Sequence, residues 1–204
     1  MEEPVRPAGP LEKAAPRQIR VQTQFSSGFG DWLIRERVGL VASTYQTGHL
    51  LFIGVTAEGR PVPSAAGFSQ AMGIAATSQR LYVGAKTDIW RMDNFLRDDE
   101  LDSDLFDRVF VPRFSYVTGD INIHEIAVEA SGRLVFANSR FSCLATLSET
   151  QAFKPLWKPK FVSRLAPEDR CHLNGLALED GRVRYVTCCS TGDSIESWRG
   201  SRQQ

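Results

Sequence analysis

The sequence predicts an all-β, propeller-like fold, and three observations predict it. First, a unit of apolar strand, tight polar turn and apolar strand recurs along the chain. Its second strands open at Leu81, Leu134 and Val183, a spacing of about 50 residues that is the period of a propeller blade. Second, the entry into the unit repeats as Ala71-Met72-Gly73-Ile74-Ala75, Ile123-His124-Glu125-Ile126-Ala127 and Leu173-Asn174-Gly175-Leu176-Ala177. Third, the 204 residues are 42% hydrophobic and 24% charged, ordinary values for a globular chain with a real core. A β-sandwich also supplies many short strands, but not this return of one phrase.

Residues 1–18 carry Pro4, Pro7, Pro10 and Pro16 among Ala, Glu and Arg. Such a stretch buries little and is expected to be a disordered leader. The domain is expected over 19–204, with order beginning at Ile19-Arg20-Val21. Ser26 to Glu36 predicts a short helix capped by Ser27 or Asp31. Val38 to Thr44 and His49 to Ile53 read as strands joined by a turn at Gln46-Thr47-Gly48. Gly73–Ala76, Leu81–Ala85 and Ile89–Met92 form the next group, turning at Thr77-Ser78-Gln79-Arg80. Ile126–Glu129, Leu134–Asn138 and Leu144–Leu147 follow, turning at Ala130-Ser131-Gly132-Arg133. Leu176–Leu178 and Val183–Thr187 flank Glu179-Asp180-Gly181-Arg182. Ser-Gly and Asp-Gly suit such hairpins because glycine accepts a positive φ. The count is about four blades, fewer than a ring of about six, and no closing strand follows Val186. The expectation is therefore a partial propeller with open sheet edges able to self-associate.

Composition narrows the function classes. Lys plus Arg and Asp plus Glu balance at 24 each, so no broad basic field exists to attract nucleic acid or anionic lipid. Apolar runs such as Leu50 to Val55 are too short to span a bilayer as a helix. Met1-Glu2-Glu3-Pro4 is acidic and precedes no apolar signal segment. Cys143, Cys171 and the adjacent Cys188-Cys189 make no Cys-x-x-Cys and read as reduced core thiols of a cytoplasmic protein. His124-Glu125 opens like His-Glu-x-x-His, but Val128 stands where the second His is needed. Nucleophile-elbow, dinucleotide and P-loop signatures have no match.

Longer phrases carry a resemblance. They are Ser43-Thr44-Tyr45-Gln46-Thr47-Gly48, Val111-Pro112-Arg113, Tyr116-Val117-Thr118-Gly119-Asp120, Asn138 to Thr146, Phe153 to Trp157 and, strongest, Pro167-Glu168-Asp169-Arg170-Cys171-His172-Leu173-Asn174-Gly175-Leu176-Ala177. With these the chain resembles a bacterial family of conserved hypothetical proteins built on a domain of unknown function. The resemblance implies a propeller-like fold in longer chains with a later His-Ser-Pro-Arg motif, which this sequence lacks; a truncated N-terminal portion is the expectation. Asn122 and Glu125 stand where the family pattern leads one to expect aspartates.

Candidate chemistry gathers at the repeated entries. In a propeller these line the central channel, so His124, Glu125 and Asn174 are candidates to hold Ca²⁺, Mn²⁺ or Zn²⁺. The Asn-Gly-Leu-Ala phrase is also similar to the metal-binding Asn of six-bladed lactonases. The competing reading is that Asn174 and His124 satisfy backbone groups at strand starts. Asp120, His172 and Arg170 are expected at the same mouth, an Asp–His pair being able to set the ring's pKa. Arg113 and Arg140 are candidates to clamp an anion. The competing reading of Glu168, Asp169 and Arg170 is a solvated or locally ion-paired corner. Trp90, Trp157 and Trp198, with Phe141 and Phe153, read as packing between blades.

Three functional readings follow. One is a module binding a small molecule or a protein without chemistry. Another is a metal-dependent hydrolase of the lactonase or esterase kind, with His124 or His172 as general base. The third is a truncated copy with no activity of its own.

Overall fold

A computed structural model describes residues 22–103 and 105–203. The expected leader and the start at Ile19 to Val21 lie outside the described residues. One helix, α1 (Phe29–Glu36), precedes thirteen strands. Its N-cap is Gly28, at φ 78° and without a side-chain cap bond, rather than Ser27 or Asp31. Asp31 instead sits in the first turn, where its charge favours the helix dipole.

The strands form four antiparallel sheets, none closed, each an up-and-down meander in chain order. The first holds β1 (Leu40–Thr44), β2 (His49–Val55) and β3 (Pro61–Gly67). The second runs β4 (Ile74–Ala76), β5 (Arg80–Gly84), β6 (Asp88–Asn94) and β7 (Phe110–Val117). The third runs β8 (Ile123–Val128), β9 (Leu134–Asn138), β10 (Cys143–Thr146) and β11 (Lys154–Trp157). The fourth pairs β12 (Leu173–Glu179) with β13 (Arg182–Cys188), and a 3-10 helix spans Ser197–Gln203. No helix among the described residues is long and apolar enough to cross a membrane.

Strand alternation explains how the sheets stack. Leu81 and Val83 of β5 pack with Leu50 of β2, while Tyr82 turns to the other face and meets Ile123, Ile126 and Phe136. On β9, Leu134 and Phe136 face the second sheet, and Val135 and Ala137 face Leu173 and Val162 on the other side. Period-2 alternation puts successive side chains on opposite faces, and both faces of the middle sheets are apolar. Each core layer therefore lies between one sheet and the next. Fully burying one such side chain contributes about 1.5–3 kcal/mol.

From the second sheet to the fourth, neighbouring sheets also touch at backbone level, at a strand entry and at a turn. The Gly73 N–H donates to the Ile123 carbonyl at 3.3 Å. Between the third and fourth sheets, the Ala130 N–H donates to the Gly181 carbonyl at 2.8 Å. Buried Glu129 accepts from the Val183 N–H at 3.1 Å and pairs with Arg133 at 2.6 Å. Trp157 is 45% exposed on β11, so it does not pack between sheets as expected. Cys143 and Cys171 are buried, but Cys188 and Cys189 are exposed and so are not core thiols.

Candidate functional site

The entries to β8 and β12 share one irregularity. Ile123 pairs with Asn138 and Ile126 with Phe136, leaving one extra residue on β8. Leu173 pairs with Cys188 and Leu176 with Val186, leaving one extra on β12. Bulges of this kind bend a strand and re-aim a side chain. Here the two bulges bring His124 and Asn174 together, with Asn174 Nδ2 at 3.4 Å from His124 Nδ1. Asn122 Nδ2 stands 3.2 Å from the other ring nitrogen. A neutral imidazole has one acceptor and one donor. The neutral ring therefore accepts from only one of the two amide NH₂ groups that face it. Burial, and then the neighbouring His172, pushes the His124 pKa down to about 4, which Asp169 opposes; the ring is neutral at neutral pH.

His172 meets His124 edge to face, ring centroids 4.7 Å apart. Its Nδ1 lies 2.7 Å from Asp169 Oδ2. With Nδ1 donating to Asp169, Nε2 is the ring's other polar atom, and it has no hydrogen-bond partner among the described residues. Trp198 covers the ring, stacked at 4.0 Å, and its indole N–H donates to the same Asp169 oxygen at 3.0 Å. Arg199 lies over Trp198 at 4.5 Å. The aspartate beside the histidine is thus Asp169 rather than Asp120.

Arg170 fastens this cover. It donates to Glu168, Ser163 and Asp193, and the Ser197 hydroxyl donates to the Arg170 carbonyl at 2.6 Å. These bonds fix the Trp198 segment, and the bond to Arg170 also holds the Asp193 carboxyl down at about 2. Arg170 so spends its donors inside the protein.

The remaining expected residues divide. Asp120 and Arg140 face each other at 3.5 Å, both about half-exposed. The Arg140 carbonyl accepts from the Asp169 N–H at 2.8 Å, which joins this pair to the histidines. Glu125 turns its carboxylate to the Ile126 N–H at 3.1 Å, and burial raises its pKa. Arg113 is exposed on β7, the strand of its sheet farthest from β4, and its charge acts on Asp93. It does not join the cluster. Among the described residues, no three His, Cys, Asp or Glu side chains stand together as a metal site.

Two further features mark the place. Asn122, Ser142, Asp169, His172 and Glu196 all have φ between 45° and 55°, a left-handed conformation costing on the order of 1 kcal/mol or more for a residue with a side chain. Asp169 Oδ1, Arg140 Nε and Asn138 Nδ2 are buried without a partner among the described residues. Sequence reasoning took Trp198 for packing and Asp169 for a surface corner. The left-handed Asp169 and His172, three residues apart, are what turn both inward, and no periodicity announces them.

The family model described as "Domain of unknown function (DUF4915)" matches residues 27–204. The chain belongs to this family. The Pro167 to Ala177 phrase, with Asp169, His172 and Asn174, lies within the DUF4915 match. No curated protein matches the chain. Among solved structures, a luciferin-regenerating enzyme is similar at 16% identity and a TM-score of 0.39, over 63% of this chain. The DUF4915 chain spans 39% of that protein's length.

Proposed function

We propose that the four sheets are successive blades of a β-propeller and that this protein binds a small polar molecule at the entries of β8 and β12. The observation that carries the reading is the convergence of His124, Asn174, His172, Asp169 and Trp198 from three chain segments. The stacking of each sheet's core on the next supports the blade arrangement. Left-handed backbone at five positions supports a functional site, since such strain persists where the surroundings impose it.

In this reading His172 Nε2 accepts a ligand hydroxyl, the Asn174 amide reads a carbonyl or hydroxyl, and Arg140 at the rim favours negative charge. The test is thermal shift against a panel of sugars, hydroxy acids and their lactones, with His172→Ala and Asn174→Ala beside the wild type. A compound that raises the wild-type Tm and neither variant's supports the site. A shift that persists in both variants sinks it.

A metal-dependent hydrolase at the same place is the second reading, favoured by the 3.4 Å approach of His124 and Asn174. Against it, both His124 nitrogens face amides and the Glu125 carboxylate turns to the backbone. One equivalent of Ca, Mn or Zn by elemental analysis, lost in His124→Ala and Asn174→Ala, would reverse the order of the two readings. A cytoplasmic location belongs to the same proposal and rests on four cysteines without disulfides. Self-association belongs to it too, through β13, whose outer edge has no partner strand among the described residues. A monomer in sedimentation at high concentration would remove that element.

A further inference from the structure

A second concavity lies away from the histidines, at the seam between the first and second sheets. Its volume is about 400 Å³, and it is lined by Gly67 at the end of β3 with Phe68 and Ser69 after it, by Ala85 to Asp88 at the β5–β6 turn, and by Trp90 and Pro112. That volume is within the range of small-ligand sites. Two aromatic walls meet edge to face, Phe68 and Trp90 having centroids 6.1 Å apart.

The polar groups around it are differently committed. Asp88 uses one carboxylate oxygen for the Trp90 indole N–H at 3.1 Å and the other for the Ser115 hydroxyl at 3.2 Å. Those bonds fix the indole and engage both carboxylate oxygens. The backbone N–H of Lys86 donates to the Ser69 carbonyl at 2.8 Å, which holds the turn against the first sheet. The Lys86 side chain is exposed, and its ammonium has no ion pair or hydrogen bond among the described residues. A fixed aromatic corner beside an uncommitted cation has a definite complement.

We infer that this seam binds a flat aromatic carboxylate, the ring lying against the corner formed by Phe68 and Trp90 and the carboxylate meeting Lys86. Aromatic surface supplies the contact area, and the exposed ammonium supplies orientation more than affinity. The site is independent of the histidine cluster and stands or falls apart from it. For a ligand of about a dozen heavy atoms with one exposed charge contact, the dissociation constant is on the order of 1 mM.

The experiment is an NMR titration of the whole chain with 2-naphthoate, following the four indole N–H signals, with Trp90 assigned from Trp90→Phe. The expected result is a saturable shift of the Trp90 signal with little movement of exposed Trp157. Lys86→Gln, at an exposed position where folding is not at stake, is expected to weaken 2-naphthoate about three- to fivefold. 2-Naphthylmethylamine, the cationic analogue, is expected to bind more weakly than 2-naphthoate. Equal movement of Trp157, an unchanged affinity in Lys86→Gln, or tighter binding of the amine would each overturn the inference, the last by showing that Asp88 governs the site.

Discussion

Gly73→Ala tests the seam on which the blade arrangement rests. A Cβ at Gly73 would lie 2.9 Å from Ile126 Cγ1, 3.0 Å from the Glu125 carbonyl carbon and 3.1 Å from Glu125 Cα. Two of those three neighbours are backbone of β8, paired to β9 beyond it, so the strand cannot yield as a side-chain tip would. Overpacking of this sort costs about 1–3 kcal/mol. Gly→Ala also stiffens the unfolded chain, which offsets about 0.4–1 kcal/mol. For a domain of this size a net loss of about 1–2 kcal/mol lowers Tm by roughly 2–8 °C. Gly67→Ala is the control: its Cβ would meet nothing within 4 Å, and the same unfolded-state effect predicts an unchanged or slightly raised Tm. Calorimetry on the pair separates contact from chain entropy. If Gly73→Ala melts with Gly67→Ala, β4 does not abut β8, and the blade arrangement loses its central contact.

Other predictions concern the histidines, the cover and the thiols. His124 has a folded pKa of about 4 against 6.5 for the free group, so between those values the unfolded chain binds a proton that the folded one does not. Stability from this residue is complete above pH 6.5 and lost as pH falls towards 4; the raised carboxyl of Glu125 gives the opposite slope just above the carboxylate range. Urea midpoints from pH 7 to 4.5 should thus fall less steeply in His124→Gln than in wild type, and parallel curves would contradict a neutral His124. Trp198 is 4% exposed, so Trp198→Ala is expected to cost about 3 kcal/mol, whereas Trp198→Phe keeps the stack on His172 and loses about 1 kcal/mol with the bond to Asp169; equal losses would mean that the stack does not matter. Burial pushes the thiols of Cys143 and Cys171 up to about 12 and about 11, while Cys188 and Cys189 are exposed. With Ellman's reagent at pH 8, two thiols should react at once and two only on unfolding.

The inner strands were legible because their hairpins obey local rules. Gly132 and Gly181 take φ 81° and 72° at the turns read from Ser-Gly-Arg and Asp-Gly-Arg. What escaped is systematic. The strands that reasoning from pattern passed over are β3, with Pro61 and Pro63, β7, with Pro112, and β11, with Pro155. Each is the last strand of its sheet. Proline removes a ladder donor and is tolerated at such edges, so the rule that demotes a proline-bearing run also says where it belongs. Read that way, a proline-bearing apolar run after two clean strands is evidence for the outer strand of the same sheet.

The site divides along a similar line. His124 and Asn174 were found because they ride on a repeated phrase, and the matching bulges put them 3.4 Å apart. The groups around them do not repeat. Asp169 reaches His172 through two left-handed residues, and Trp198 arrives from a segment tied down by Arg170. The sequence places Arg170 either at the mouth with Asp120 and His172 or in an ion-paired corner with Glu168 and Asp169; its fork grips Glu168 and Asp193. The same chemistry serves either end, and only the position of the carboxylates decides which. With Arg170 anchored internally, Arg140, half-exposed beside Asp120, is the cation that the proposed site has at its rim. An Arg140→Gln variant should therefore weaken an acidic ligand of the histidine cluster while leaving a neutral one unchanged; equal loss for both would assign Arg140 to structure.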